Sequence, residues 1–222
     1  ILCAGFPCHP FSIAANQKGF QDETRGNLFY KILEIVDEKQ PETLILENVK
    51  NLHTIHNGET FKIIKQSLVS RGYNVSYKVI DSRYYGCPQS RQRIYIVCCK
   101  NTHYTFKNID APIVPVSTII DPTVTDFLDY TDKYFLQPCR GNSMTKYYLI
   151  NKQTGNGGRQ GERVYNIEKC GPTICATSGG PGSKTGLYDF NGKIRKLTVT
   201  EALRMFGFDD SYKYDTLANK ND

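Results

Sequence analysis

The chain has 222 residues, of which 39% are hydrophobic and 23% charged, and its formal net charge is +6. This composition is typical of a folded globular protein and excludes disorder along the whole chain. No apolar run approaches the roughly 20 residues that a membrane span requires, and the start has no basic leader like that of a signal peptide. Because the sequence opens at Ile1, within an apolar run and without Met, we expect a fragment of a longer protein.

The eight cysteines show neither a disulfide framework nor a metal-binding pattern. There is no Cys-x-x-Cys pair, and His53 and His56 are far from any cysteine that could complete a zinc site. We therefore predict no structural metal and no disulfide. A reducing intracellular compartment, the cytoplasm, is the simplest interpretation.

The first hundred residues alternate between strand patterns and helix patterns. Apolar residues at helical spacing predict helices at 26–39 and 59–71. The continuous apolar run at 43–46 is typical of a buried parallel strand. Further strands are predicted at 1–5, 73–80 and 93–99. The order strand, helix, strand, helix, strand, strand predicts a doubly wound α/β sheet.

The pattern changes after residue 100. From 101 to 192 the apolar runs are short, and Pro, Gly, Asn and Tyr are frequent, which predicts a small irregular β-rich domain. Thr198 and Glu201 then form a capping-box pattern that predicts the start of a helix.

Positive charge is concentrated late in the chain. Residues 151–204 carry nine basic and four acidic side chains, and residues 151–192 hold 10 of the 18 glycines. Glycine with Arg and Lys on loops suits contact with a polyanion. On charge alone, a solvated loop region is the simpler interpretation.

Polar residues follow the predicted strands at three places. Singly, each has an ordinary explanation: Cys8 as a packed residue, Glu47 as a solvated carboxylate, and Arg91 and Arg93 as exposed side chains. Ligands of open α/β sheets bind outside the carboxyl ends of the strands. A thiol, a carboxyl group and two guanidinium groups at one sheet edge would suit covalent catalysis, since positive charge favours a thiolate.

These residues lie in motifs that resemble, in order, the signature of the C5 DNA cytosine methyltransferases of bacterial restriction-modification type. The family patterns are Pro-Cys-Gln-x-Phe-Ser, Arg-Gly-x-Leu-Phe, Glu-Asn-Val, Gln-x-Arg-x-Arg and Arg-Lys-Leu-Thr. The matching segments are Pro7-Cys8-His9-Pro10-Phe11-Ser12, Arg25-Gly26-Asn27-Leu28-Phe29, Glu47-Asn48-Val49, Gln89 to Arg93, and Arg195-Lys196-Leu197-Thr198 with Glu201-Ala202 and Gly207-Phe208.

The resemblance implies a partial doubly wound, Rossmann-like methyltransferase sheet and a small irregular β-rich target-recognition domain. It implies that 1–100 is the catalytic domain, that 101–190 recognises the target, and that 191–222 is a hinge and helix returning to the catalytic domain.

The resemblance also implies the chemistry. Cys8 would attack cytosine C6, Glu47 would bind N3 and the amino group, and C5 would take a methyl group from S-adenosylmethionine. Arg93 would hold the base O2 together with Glu47, and Arg91 would support the same pocket. The cytosine would be flipped out of the duplex. The remaining motif residues assigned to DNA or substrate binding are Phe11, Ser12, Asn48, Val49 and Gln89.

Two glycine-rich segments, 158–165 and 173–180, resemble the first and second recognition loops of bacterial members, with some similarity to those that read a GCGC site. Arg163 is a candidate for a bidentate contact to guanine, and Gln160 for a contact to a neighbouring base. Thr173 belongs to the pattern Thr-x(5)-Gly-Gly, and Lys184 is a candidate phosphate contact.

The chain departs from the family pattern at its ends and at one loop position. His9 stands where the family usually has Gln. The glycine-rich cofactor motif that precedes the Cys loop and the closing Gly-Asn-Ser-Val motif are both missing from these residues. Pro7 and Leu28 are the cofactor-binding candidates that remain.

Three functions stay open. The first is a DNA methyltransferase acting on double-stranded DNA as a monomer, with a cognate restriction endonuclease and no membrane partner. The second is a non-catalytic DNA-binding member or one subunit of a split methyltransferase. The third is a related RNA cytosine methyltransferase.

Overall fold

The computed structural model describes residues 1–7, 28–141, 144–176 and 179–214. They divide into two compact units. The first comprises the described part of 1–81 together with 92–108, and the second comprises 82–91 and the described residues from 109 onward. Within these ranges, no helix has the length and apolarity needed to cross a bilayer.

The described part of the first unit is a four-stranded mixed sheet with two α-helices. The sheet order is β1-β2-β4-β3, with β1 parallel to β2 and β4 antiparallel to both of its neighbours. The elements, in chain order, are β1 Leu2–Gly5, α1 Leu28–Lys39, β2 Thr43–Val49, α2 Glu59–Val69, β3 Asn74–Asp81 and β4 Gln92–Cys99. Their order confirms the predicted strand, helix, strand, helix, strand, strand.

One face of this sheet carries the core of the unit. Both helices bury the apolar side chains predicted from their periodicity, and these pack with alternate residues of the strands. The buried residues shared by this core include Phe29, Ile32, Leu33, Val36, Leu44, Leu46, Phe61, Ile64, Leu68, Ile94 and Ile96. The doubly wound arrangement, with helices on both faces, stays a prediction because α1 and α2 contribute to this one core.

The second unit is built on a five-stranded sheet, which confirms the β character predicted after residue 100. Its order is β5-β6-β7-β8-β9, with β7 and β8 parallel and the other pairs antiparallel. Apolar clusters cover both faces. The strands are β5 Tyr134–Pro138, β6 Thr145–Asn151, β7 Arg163–Asn166, β8 Leu187–Phe190 and β9 Lys193–Arg195, followed by helix α3 Val199–Met205.

The helix α3 begins as the capping box predicts. The Thr198 hydroxyl accepts a hydrogen bond from the Glu201 backbone N–H at 3.2 Å, and the Glu201 carboxylate accepts one from the Thr198 N–H at 2.8 Å. These two bonds satisfy backbone donors that would otherwise be unpaired in the first turn.

The unit boundaries differ from the ranges that the resemblance implies, 1–100, 101–190 and 191–222. Residues 82–91 group with the second unit, and so do 191–214. Hydrogen bonds explain the first difference, since Gly171 N donates to the Pro88 carbonyl and Ser90 N donates to the Gly171 carbonyl, both at 2.8 Å.

Candidate active site and recognition loops

Glu47 and Arg93 form an ion pair on the sheet of the first unit. In the antiparallel pairing of β2 with β4, Glu47 lies opposite Tyr95 and Val49 opposite Arg93, so both charged side chains point to the same face. The Arg93 Nε lies 2.9 Å from the Glu47 Oε1. The side chains are 36% and 18% exposed for Glu47 and Arg93, so the carboxylate is held by the guanidinium while part of it stays accessible.

The Glu47 carboxylate lies over the end of β1. Gly5 is the register partner of Glu47, and a Cβ added at Gly5 would lie 3.4 Å from Glu47 Oε2. After β1 the chain runs through Phe6 and Pro7, and Cys8 is the next residue. Cys8, Phe11 and Ser12 lie outside the described residues, so their predicted roles stay predictions.

Asn48 fixes the backbone that precedes Cys8. Its side chain is 2% exposed. Its Nδ2 donates to the Phe6 carbonyl at 2.7 Å, and its Oδ1 accepts from the Val49 N–H at 2.8 Å. Sequence reasoning assigns Asn48 to DNA binding, whereas in the structure its amide is used within the protein. The neighbouring Val49 is 39% exposed and presents apolar surface.

Lys50 is a cation at this site that the sequence motifs do not single out. It follows the Glu-Asn-Val motif directly, and its ammonium donates to the Gln92 Oε1 at 2.7 Å. Gln92 is the residue before Arg93, so Lys50 ties the two motif segments together. Its position immediately after the motif is the signal that could have found it.

Gln89 is buried in the second unit, although the sequence assigns it to DNA binding. It is 1% exposed. Its Oε1 accepts from the Ile174 N–H at 3.2 Å, and its Nε2 donates to the Met205 carbonyl at 3.4 Å. The structure therefore uses this amide to join three segments of the protein rather than placing it on a surface.

Thr173 and Arg91 both belong to the second unit. The Thr173 hydroxyl donates to the Ser90 carbonyl at 2.7 Å, which ties the segment after Gly171 to the segment before Arg91. The Arg91 guanidinium carbon lies 5.8 Å from the centre of the Phe206 ring. The boundary between the units falls between Arg91 and Gln92, so the two arginines of one motif belong to different units.

The two predicted recognition loops pack against each other at glycine. A Cβ on Gly161 would lie 1.7 Å from the Gly179 carbonyl oxygen, a distance that no side chain tolerates. Gly182 N donates to the Gly161 carbonyl at 2.7 Å. Glycine at 161 is therefore required for the close approach of the two loops.

The candidate base-reading side chains lie in the first of these segments, where Gln160 begins a short 3-10 helix and Arg163 is the first residue of β7. Arg163 and Gln160 are exposed. Arg163 Nε donates to the Gly158 carbonyl at 3.0 Å, and Gln160 Nε2 lies 3.3 Å from the Cys175 sulfur. The Arg163 guanidinium also interacts with the Tyr165 hydroxyl, and a guanidinium group has five N–H donors in all. Lys184 is also exposed and holds a left-handed backbone conformation with φ of 70°.

The cysteines in the described ranges are all free thiols. The pKa of the Cys98 thiol is raised to about 12, mainly because the thiol is buried and to a smaller extent because Cys99 is adjacent. A thiol with this pKa stays protonated at neutral pH and is a poor nucleophile. Cys98 is therefore a packing residue, as its place in an apolar strand predicts.

A family model of C-5 cytosine-specific DNA methylases matches residues 1–221. The chain belongs to the C5 cytosine-specific DNA methylase family. It is 39% identical to the type II methyltransferase M.HhaI of Haemophilus parahaemolyticus over 96% of this chain and 66% of that protein. It is 34% identical to M.Bsp6I of Bacillus sp. (strain RFL6) over 98% of this chain and 70% of that protein.

Solved structures show the same fold at low sequence identity. The S. pombe Dnmt2 methyltransferase superposes with a TM-score of 0.61 at 15% identity, over 98% of this chain and 70% of that one. A mutant DNMT2 of Spodoptera frugiperda superposes with a TM-score of 0.64 at 15% identity, over 98% of this chain and 71% of that one. The chain thus spans about two thirds of the length of the curated relatives that it matches.

Proposed function

We propose that this chain is the catalytic and target-recognising part of a DNA (cytosine-5-)-methyltransferase that acts on double-stranded DNA. The observation that carries the proposal is the Glu47–Arg93 pair, with an N–O distance of 2.9 Å, beside the end of the strand that leads to Cys8. A carboxyl group held beside Gly5, three residues before Cys8 in the chain, suits a reaction that must polarise a base while a thiolate adds to it.

The residues divide the reaction between them. The Cys8 thiolate adds to C6 of a flipped-out cytosine, and the electron pair of the C5–C6 bond moves toward C5 and N3. Glu47 hydrogen-bonds N3 and the exocyclic amino group, which stabilises the charge that develops on the ring. Arg93 holds Glu47 and the base O2, and Arg91 supports the same pocket. After C5 is methylated, loss of the C5 proton and departure of the thiolate restore the aromatic ring and free Cys8.

S-adenosylmethionine supplies the methyl group in this family. Two of the described residues suit contact with its apolar parts. Pro7 is exposed just after β1, and Leu28 is 48% exposed at the first residue of α1. Both present apolar surface at positions where ligands of α/β sheets bind. Pro7 and Leu28 are the residues of this chain that would contact the cofactor. The sheet that carries them would be doubly wound.

Base recognition is assigned to the paired glycine loops. Their side chains Arg163 and Gln160 are exposed, and an arginine fork matches the two acceptors of guanine in the major groove. Arg163 would read guanine, Gln160 a neighbouring base and Lys184 a phosphate. The target would be similar to GCGC. The enzyme would act as a monomer, alongside a cognate restriction endonuclease.

Methyl transfer from tritiated S-adenosylmethionine to duplex DNA tests the function, using the full open reading frame that encodes this chain. Labelled DNA is expected, and Cys8→Ser should abolish the labelling. Cys3→Ser is a matched control, because Cys3 is an exposed free thiol on β1. Labelling that survives Cys8→Ser would rule out the covalent mechanism.

DNA containing 5-fluorocytosine separates the enzyme from a pure DNA-binding member. Fluorine replaces the C5 hydrogen, so after methyl transfer C5 has no proton to lose and the thiolate cannot be eliminated. The Cys8 adduct therefore accumulates and can be detected by its reduced gel mobility. Binding to DNA without an adduct, with the cofactor present, would favour a non-catalytic or split protein. A parallel reaction with transfer RNA tests the RNA alternative, and we expect duplex DNA to be preferred.

A further inference from the structure

The aromatic ring of Phe206 lies beneath the guanidinium group of Arg91. Phe206 directly follows α3 and is 42% exposed. The distance from the Arg91 guanidinium carbon to the ring centre is 5.8 Å, within the roughly 6 Å over which a cation and an aromatic face attract each other. An arginine side chain is long and rotates freely, so an aromatic ring within this distance of the guanidinium group favours some of its orientations over others.

The backbone before Arg91 is fixed from two sides. Gln89 Nε2 donates to the carbonyl of Met205, the residue before Phe206, at 3.4 Å. Gln89 Oε1 accepts from Ile174 N at 3.2 Å, and the Thr173 hydroxyl donates to the Ser90 carbonyl at 2.7 Å. The segment 89–91 therefore contacts both the end of α3 and the irregular segment 173–174 that leads into the second recognition loop.

We propose that Phe206 is a positioning residue for Arg91, with Gln89 fixing the backbone from which Arg91 projects. The inference rests on the proposed role of Arg91 in the methyl-transfer site. The ring holds the guanidinium group in one orientation, and the buried amide holds the chain two residues earlier. Together they link the orientation of Arg91 to the segment 173–174 that leads into the recognition loop.

The first test observes Arg91 itself and does not require activity. Nitrogen relaxation of the arginine Nε–H groups in the full-length protein reports how restricted each side chain is. Phe206→Leu should increase the mobility of Arg91, and Phe206→Tyr should keep it restricted because the ring remains. Phe208→Leu is the control, because Phe208 is similarly exposed, at 43%, but packs on another aromatic residue. The centres of the Phe208 and Tyr212 rings are 4.5 Å apart. Unchanged Arg91 mobility in Phe206→Leu would overturn the proposal.

The second test measures methyl transfer at saturating DNA. Phe206→Leu should lower kcat by about 2- to 30-fold, which corresponds to the loss of one cation–aromatic contact. The KM for DNA and the melting temperature should stay close to those of the unchanged protein. Phe206→Tyr should recover the rate, and a tyrosine variant as slow as the leucine variant would contradict the proposal. If the protein without any substitution has no methyltransferase activity, the proposed function is wrong. The relaxation measurement still decides the role of Phe206 in that case.

Gln89→Glu distinguishes positioning from direct DNA contact. A carboxylate keeps the acceptor for Ile174 N but loses the donor to the Met205 carbonyl. If Gln89 acts by positioning, kcat falls and the KM for DNA changes little. A raised KM with an unchanged kcat would show a direct DNA contact and overturn the assigned role of Gln89.

Discussion

Arg195 and Glu201 form a buried two-pronged ion pair, with N–O distances of 2.7 and 2.8 Å and side chains 2% and 0% exposed. The Glu201 carboxylate also accepts hydrogen bonds from the backbone N–H groups of Thr198 and Asp121, both at 2.8 Å. The Arg195 guanidinium carbon lies 4.2 Å from the centre of the Phe190 ring. The Arg-Lys-Leu-Thr motif thus joins β9, α3 and the segment at residue 121.

Removal of one partner of this pair should strongly destabilise the protein. Either Arg195→Met or Glu201→Leu leaves a buried charge without its partner, so the free energy of unfolding should fall by about 3–5 kcal/mol. Urea denaturation followed by circular dichroism measures this loss. The double variant should lose less than the sum of the two single losses, because it leaves neither charge unpaired. Additive losses would show that the two side chains act independently.

The same pair should make the stability depend on acid pH. Burial alone would raise the pKa of Glu201, but hydrogen bonds from Arg195, Thr198 and Asp121 outweigh it and hold the pKa below its ordinary value of 4.5. The carboxylate therefore contributes its full stability above pH 4.5, and the contribution is lost as pH falls through the lower pKa of the folded state. Urea denaturation from pH 7 to pH 3 should show this loss. Glu201→Gln should remove this part of the pH dependence, and an unchanged profile would contradict the assignment.

The contact between the recognition loops should not tolerate a methyl group at one of its two glycines. Gly161→Ala should force the loops apart, because the Cβ would lie 1.7 Å from the Gly179 carbonyl oxygen. We expect a loss of about 1–3 kcal/mol in the free energy of unfolding and weaker discrimination between target and non-target DNA.

Gly179→Ala is the matched control for that variant. A Cβ at Gly179 meets no atom of the described residues within 4 Å, and its φ lies outside the left-handed range. Its stability and DNA discrimination should stay close to those of the unchanged protein, as measured by urea denaturation and competition binding. Equal damage from both alanines would argue against a tight packing contact at Gly161.

Arg163 and Lys184 should affect DNA binding in different ways. Arg163→Lys removes the planar fork, so discrimination at one base pair should fall by about 1–3 kcal/mol. Lys184→Gln should weaken binding to all sequences and lower the slope of log affinity against log salt by about 1. Filter binding with substituted duplexes at several salt concentrations measures both effects. A uniform loss from Arg163→Lys would place that residue on the phosphate backbone instead.

Arg93→Lys should separate charge from geometry at the Glu47 site. Lysine keeps the positive charge but cannot hold both a carboxylate and a base oxygen with a planar fork. We expect kcat for methyl transfer to fall by about 10²–10³-fold, as when a preorganised hydrogen-bond donor is lost. Single-turnover transfer to duplex DNA measures the change. A fall of less than threefold would show that charge alone is sufficient.

The elements of the first unit could be predicted from sequence because their apolar residues follow clear periods. The helix from 28 to 39 buries Phe29, Ile32, Leu33 and Val36, which stand at helical spacing in the sequence. The capping box at Thr198 was equally readable, since its two bonds are local. Leu28 is the exception, because it stands at the first turn and remains 48% exposed.

Contacts between residues far apart in the sequence could not be predicted in the same way. Asn48 and Gln89 stand in motifs, but nothing in their neighbours shows that each amide turns inward to a distant backbone group. Asn48 bonds to Phe6, 42 residues away, and Gln89 to Met205, 116 residues away. Composition changes at residue 101, yet residues 82–91 group with the later residues through hydrogen bonds to 171–174. Such pairings depend on the folded chain path, which local periodicity does not encode.

The grouping of residues 82–91 with the later part of the chain bears on how specificity can be exchanged between relatives. A chimera that replaces the chain from residue 109 onward would keep Pro88, Gln89 and Ser90 from one parent and take Gly171 to Ile174 from the other. The hydrogen bonds that join these two segments would then connect sequences of different origin. A chimera that takes residues 82–91 and the residues from 109 onward from the same parent keeps both partners of these hydrogen bonds together.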